Sequence, residues 1–245
     1  MSEPSLHDLA GAAEASYDKG NVAPENYSKV EHLSYPEVST YKHNVNPHYI
    51  VAHRGTHLGD ESSAKKDVKA DLNIALGNKN ADALHKRRLK ETEKIVKAIK
   101  KKEPAHDIHL VGHSLGGSTS SHALAHSDVV RENVKAHHTF NAGSSALASK
   151  PEVSAEVQQQ LMEKSTHHRV RGDLISEHVK SNLIGKHKEY ESTKKPSIAQ
   201  HILKLATPIL KRTLVGKVIA YGAKKALATL QAHSLDNFTK KKKLI

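Results

Sequence analysis

Gly112-His113-Ser114-Leu115-Gly116-Gly117 sets a serine hydroxyl between two glycines at the spacing Gly-x-Ser-x-Gly. That spacing suits a sharp strand-to-helix turn that presents the serine side chain outward. Gly112 and Gly116 each have a mechanical task there, because a side chain at either position would collide with the strand or the helix. A serine hydroxyl becomes a useful nucleophile only when a neighbouring base takes its proton and an acid orients that base. The chemistry in prospect is therefore attack of Ser114 on a carbonyl carbon, with partners supplied from elsewhere in the chain. The sequence contains no Cys, which excludes a thiol nucleophile, a disulfide scaffold and any zinc site built on thiolate. His137-His138, His167-His168 and His106 with His109 are suggestive for a metal by count alone. No His-Glu-x-x-His pattern accompanies them, so no metal and no other cofactor is expected.

The elements that must hold Ser114 follow from the local patterns. Asp107-Ile108-His109-Leu110-Val111 reads as a strand running straight into the glycine turn, and Ala123 and Leu124 fall in a helix after it. Upstream, Tyr49-Ile50-Val51-Ala52-His53 is a short apolar run closed by Arg54-Gly55-Thr56, a strand and then a loop. Val68, Leu72, Ala75 and Leu76 keep helical spacing between Ser62-Ser63 and Gly77. Leu89, Thr92, Ile95, Val96 and Ile99 share one helical face, Lys and Arg fill the other, and Pro104 ends the helix. Downstream, residues 136–141 read as a strand, Val153, Val157 and Leu161 mark a helix, and residues 167–171 form one more strand. Strand and helix in alternation predict an α/β fold with a mostly parallel central sheet and helices on both faces. Central parallel strands are usually apolar throughout, yet these carry His53, His109, His137 and His138. They are expected at strand ends or edge positions, satisfied by backbone hydrogen bonds.

The 245 residues hold 38 Lys and Arg against 26 Asp and Glu, a formal charge of +12 with 20 His neutral. Acid would load the chain with still more positive charge. With no Trp and two Phe, the core must come from Leu, Ile, Val and Ala, and base-stacking platforms are not expected. No apolar run approaches the ~20 residues of a membrane span, and no charged start followed by an apolar stretch marks a secretory signal. The expectation is a soluble, intracellular or cytoplasmic protein, peripheral to a membrane if it meets one. Three regions divide the chain: a polar N-terminal lead-in over 1–45, one domain over 46–239, and a basic tail over 240–245. Late in the domain, Leu214, Val215, Val218, Ile219, Ala223, Ala226, Leu227 and Leu230 form a helical stripe with Lys217, Lys224 and Lys225 off it. Such a helix either packs in the core or lies on an anionic membrane surface, and Lys240, Lys241, Lys242 and Lys243 would add weak attraction to the same surface. No nucleic-acid recognition motif is visible, so nucleic acid is not an expected partner.

Over about 190 residues the chain resembles the class 3 lipases of the α/β-hydrolase fold. Leu110-Val111 leading into Gly112-His113-Ser114-Leu115-Gly116-Gly117 looks like that family's elbow, and Val51-Ala52-His53-Arg54-Gly55-Thr56 is similar to its second signature. Thr139-Phe140-Asn141-Ala142-Gly143 and His233-Ser234-Leu235-Asp236-Asn237-Phe238 resemble its later segments. The resemblance implies a serine hydrolase cleaving carboxylic esters of lipids (lipase, phospholipase or esterase) through an acyl-enzyme on Ser114. Family chain order, Ser then acid then His, implies Asp173 as the acid and His233 as the base. Backbone amides of Thr56 and Leu115 would form the oxyanion hole. Asp128 and Asp236 fit less well, as a surface residue and a local cap. The chain departs from the family in having His53 where an aromatic often precedes Arg-Gly, and in the polar run Gly59-Asp60-Glu61-Ser62-Ser63-Ala64-Lys65-Lys66, which has no aromatic for entering lipid. The rival expectation is a non-catalytic basic module of the same fold that binds anionic membrane or nucleic acid.

Overall fold

A computed structural model describes residues 2–17, 22–55, 81–143, 153–173, 176, 183–192 and 234–239. Seven strands form one sheet in strict sequence order: β1 (Tyr27–Lys29), β2 (Val38–His43), β3 (His48–His53), β4 (Asp107–His113), β5 (Ala136–Phe140), β6 (Ser165–Val170) and β7 (Lys186–Tyr190). β1 and β2 pair antiparallel, as does β2 with β3, and β3 through β7 are all parallel. The helices are α1 (Leu6–Ala15), α2 (Ala81–Lys102), α3 (Leu115–His126), α4 (Asp128–Asn133), α5 (Ala155–Lys164) and α6 (Asp236–Thr239).

Strand alternation sorts the core into two layers. Tyr49 and Val51 of β3 and Ile108 and Leu110 of β4 pack with Ile95, Val96 and Ile99 of α2, Leu124 of α3, Val130 of α4 and Leu161 of α5. Ile50, Ala52, Val111, Phe140 and Val170 face the opposite way, onto Leu9, Ala10, Ala12 and Ala13 of α1 and onto Leu235 and Phe238. A monotonic strand order with right-handed crossovers puts the connecting helices on one face. Among the described residues, α1 and α6 cover the other face.

Two expectations need correction. The stretch 1–45 is not featureless: it supplies α1, β1, β2 and a 3₁₀ turn at Glu31–Leu33. The ends of α1 are set by a reciprocal cap in which Ser5 accepts from the Asp8 amide at 3.2 Å and Asp8 accepts from the Ser5 amide at 2.9 Å. Of the strand histidines, His53 ends β3 as expected, but His109, His137 and His138 lie within central strands, and the bonds of the set run mainly to side chains rather than backbone. His53 and His137 are fully buried. His137 bonds the Ser120 hydroxyl at 3.0 Å and the Ser165 hydroxyl at 3.1 Å. Their partners explain them: α3 is buried from Leu115 through Ala125, and its close approach to the sheet requires small residues. Serine and threonine fill that requirement, but a buried hydroxyl needs a partner, and histidine reaches across to provide one. The predicted helix around Val68 to Leu76 lies outside the described residues, as do Thr56, Lys217, Lys224, Lys225, His233 and the lysines 240–243. Among the described residues no helix is long and apolar enough to cross a membrane.

Candidate active site

Ser114 stands between the last residue of β4 and the first of α3, with φ 54° and ψ −124°. A left-handed φ at a residue bearing Cβ costs of order 1–3 kcal/mol and persists only where surroundings hold it. Four backbone bonds do so here. The Ser114 amide donates to the Phe140 carbonyl at 3.1 Å, and its own carbonyl accepts from Gly117 at 2.9 Å, Ser118 at 3.3 Å and Gly143 at 3.0 Å. The glycines have the predicted task. A Cβ on Gly112 would strike the Gly116 backbone, one on Gly116 would strike the His53 carbonyl, and one on Gly117 would come within 2.6 Å of the Ala142 Cβ. Leu115 opens α3, so its amide belongs to the unpaired first turn of that helix.

The carboxyl ends of four adjacent parallel strands deliver the remaining parts. Register pairs His53 with Gly112, His113 with Phe140, and Phe140 with His168. Gly55, Ser114, the 141–143 segment and Asp173 therefore all follow the same edge of the sheet, where open α/β sheets form their sites. Asp173 is fully buried just beyond β6, after Gly172 at φ 85°, with its amide bonded to the Val170 carbonyl at 3.1 Å. It also accepts from the Ser176 amide at 3.3 Å. Asp128 is different: it sits at the start of α4, largely exposed, and pairs with Arg131.

Several residues with no motif around them complete this edge. Asn141 takes φ 44°, a conformation asparagine tolerates better than most, and its side-chain oxygen accepts from the Val170 amide at 2.9 Å. That bond ties the ends of β5 and β6 together beside Ser114. Tyr17, just after α1, brings its hydroxyl to 2.7 Å from Nδ1 of His113, and the same oxygen meets the Gly55 backbone. Burial holds the Tyr17 phenol well above its ordinary pKa, so it stays protonated in its bond to His113. Thus an N-terminal residue touches both neighbours of the predicted oxyanion loop and nucleophile.

Arg88 of α2 fixes the base of that loop. Its guanidinium donates to the Arg54 carbonyl at 2.6 Å and to the Thr119 hydroxyl at 3.1 Å, and meets the Glu37 carboxylate at 3.4 Å. Burial works against the charge on both partners, yet Arg88, with Arg87 and Arg54 nearby, holds the Glu37 carboxyl below its usual range. His53 closes the network: Nε2 bonds the Thr92 hydroxyl and Nδ1 the Thr119 hydroxyl, both at 2.9 Å. Thr92 itself donates to the Arg88 carbonyl at 2.6 Å, so Nε2 carries the hydrogen, and the Thr119 hydroxyl lies between Nδ1 and the Gly116 carbonyl, 3.2 Å away. Burial, then the Arg88 charge, pushes the His53 pKa far down, and a neutral ring is what this bonding needs. No sequence pattern pointed to Tyr17, Arg88 or Asn141; each is recognisable only after the sheet has placed it.

Among the described residues, no group of three or more His, Asp or Glu is placed to hold a metal ion. Comparison with known proteins adds the wider relation. A family model for a Tle-like phospholipase domain matches residues 24–229. Among curated proteins none matches the chain by sequence. The Lip2 lipase of Yarrowia lipolytica is similar in structure, with a TM-score of 0.52 at 13% identity over 80% of this chain and 80% of that one. A lipase of Rhizopus microsporus var. chinensis matches with a TM-score of 0.44 at 16% identity, over 70% of this chain and 67% of its own. The fold is that of the α/β-hydrolases.

Proposed function

The chain belongs to the Tle-like phospholipase family, and from that premise we propose that it hydrolyses carboxylic esters of lipids through an acyl-enzyme on Ser114. The observation that carries the reading is the strained Ser114 at the β4–α3 corner, held at positive φ by four backbone bonds. Nothing in packing alone calls for a serine there, whereas a nucleophile gains from standing at the apex of such a turn, where Ser114 is almost fully shielded from solvent.

In this mechanism the Ser114 hydroxyl attacks the ester carbonyl while His233 takes its proton. Asp173 orients His233 and stabilises the imidazolium that forms. The tetrahedral oxyanion is received by the backbone amides of Leu115 and Thr56, each such donor being worth about 3 kcal/mol. Collapse expels the alcohol, which leaves with the proton from His233, and water then releases the acid by the same steps in reverse. The burial of Asp173 at the acid's place after β6 supports its role. The docking of the segment after His233 supports the base: Phe238 lies 5.0 Å from Phe140, at the end of β5 beside the elbow.

Labelling with a fluorophosphonate probe tests the proposal. The native chain should label stoichiometrically, and Ser114→Ala and His233→Ala should not, with circular dichroism unchanged in both. A folded native chain that fails to label across neutral and mildly alkaline pH, with lipid present, overturns it in favour of a binding module.

A further inference from the structure

We propose that the outer face of α2 is a docking ridge for an anionic phospholipid surface. Every exposed residue from Lys86 to Lys102 is a cation: Lys86, Arg87, Lys90, Lys94, Lys97, Lys101 and Lys102. Steps of three and four along the sequence put Lys86, Lys90, Lys94, Lys97 and Lys101 in one row on the helix. At 1.5 Å per residue the row is about 22 Å long. Of the exposed cations, Arg87 alone has a carboxylate partner among the described residues, Glu37. Two acids of the neighbourhood are engaged elsewhere: Glu93 accepts from the Ser127 hydroxyl at 2.6 Å, and Glu103, just past α2, accepts from Lys42 and Tyr49 at 2.6 Å each; Glu91 is half-buried near Arg87 and Lys94 and offsets one charge of the ridge. Fold stability does not ask for such a row, since like charges at this spacing repel one another.

The chemistry of the ridge selects a flat anionic surface. Its charges are compact ammonium groups on a convex face, with no aromatic side chain between them for stacking on bases. The inner face of α2 is buried along its length by Ile95, Val96 and Ile99, so the helix cannot leave the sheet to enter a nucleic-acid groove. A straight convex row can lie along a plane of headgroup phosphates. Its position also fits a lipid substrate. α2 starts at the site end of the sheet, where Arg88 holds the Arg54 carbonyl, and runs down the flank from there. The choice of lipid over other polyanions rests on the hydrolase reading above, but docking itself needs no turnover.

The test therefore uses the full chain carrying Ser114→Ala, so that lipid is not consumed. Co-sedimentation is measured with vesicles of phosphatidylcholine alone and with an equal mixture of phosphatidylcholine and phosphatidylglycerol. Binding is expected to the mixed vesicles only, and to weaken with salt. Replacing Lys86, Lys90, Lys94, Lys97 and Lys101 by Gln should abolish it. The milder pair Lys90→Gln and Lys97→Gln should lower it about twenty-five-fold at low ionic strength, from about fivefold per lysine. Three results overturn the proposal: no dependence on phosphatidylglycerol, full binding by the ridge variants with loss only when the lysines 240–243 are replaced, or tight binding to duplex DNA by a chain that ignores the vesicles. Fluorophosphonate labelling of the native chain is read separately, so failure of the hydrolase reading and failure of the ridge give different patterns.

Discussion

At Ser114 the backbone and the hydroxyl make opposite demands, and substitution can separate them. Ser114→Gly removes both the proposed nucleophile and the left-handed strain. Relief of 1–3 kcal/mol of strain, less the extra flexibility glycine gives the unfolded chain, predicts a gain of about 1 kcal/mol. Ser114→Ala keeps its Cβ and so keeps the strain. Urea unfolding should therefore rank Ser114→Gly above the native chain and Ser114→Ala level with it; equal midpoints for all three would mean the turn stores nothing. Tyr17→Phe tests the contact from the N-terminus. It leaves the ring in place and removes the hydroxyl that bonds His113 and meets Gly55. Turnover should fall about tenfold, an effect of about 1.4 kcal/mol, with KM unchanged, because the loss falls on the alignment of the residues flanking the proposed nucleophile and oxyanion loop. A shift in KM without a change in kcat would instead place Tyr17 in substrate binding.

Elements differ in how openly the sequence declares them. α2 was legible because Leu89, Thr92, Ile95, Val96 and Ile99 hold one face and Pro104 closes the end. The elbow was legible because two glycines at fixed spacing have one mechanical explanation. α1 was not: its buried face is Leu9, Ala10, Ala12 and Ala13, and three alanines give little periodic contrast against a glycine and a histidine. The strand histidines were misplaced for a related reason. A polar residue in a central strand is explained only by partners on other elements: hydroxyls of α3 for His53 and His137, Glu3 for His109 and His168 for His138. Arg88 shows the same dependence on context, since nothing local separates it from Arg87. Their environments differ greatly: the Arg88 side chain is 2% exposed and that of Arg87 55%. Arg88→Met should destabilise by about 3 kcal/mol or more, because it takes the buried donor from the Arg54 carbonyl and one of the two arginines that pair with the partly buried Glu37 carboxylate. Arg87→Ala should cost under about 1 kcal/mol. Chemical denaturation of the two variants checks this, and equal losses would show that the buried network does not hold the loop.

For the molecule as a whole, buried histidine sets the acid limit. His53, His137 and His168 are held far below the ordinary histidine pKa by burial, and His109, His138 and His167 are lowered to about 4 by the same cause. In the unfolded chain these side chains protonate near pH 6.5, while in the fold they stay neutral. Between those values the unfolded state binds more protons, so stability falls as pH drops below 6.5, by up to about 1.4 kcal/mol per pH unit for each. At pH 5 that is about 2 kcal/mol per histidine, and six of them approach the whole of a typical 5–15 kcal/mol. Loss of near-ultraviolet circular dichroism with a midpoint near pH 5 is expected. Native signal retained at pH 4 would mean that the interior rings are not neutral and buried as described. The order of the strands has a different consequence. Strands that are neighbours in the sheet are also consecutive among the described strands of the chain, so none has to be inserted between two already joined. A nascent chain leaving the ribosome could lay down β1 to β7 as they emerge, extending one open edge at a time. The serine turn would then wait for the carbonyl of Phe140 and the amide of Gly143, and the enzyme would stay unarmed until synthesis had passed β5.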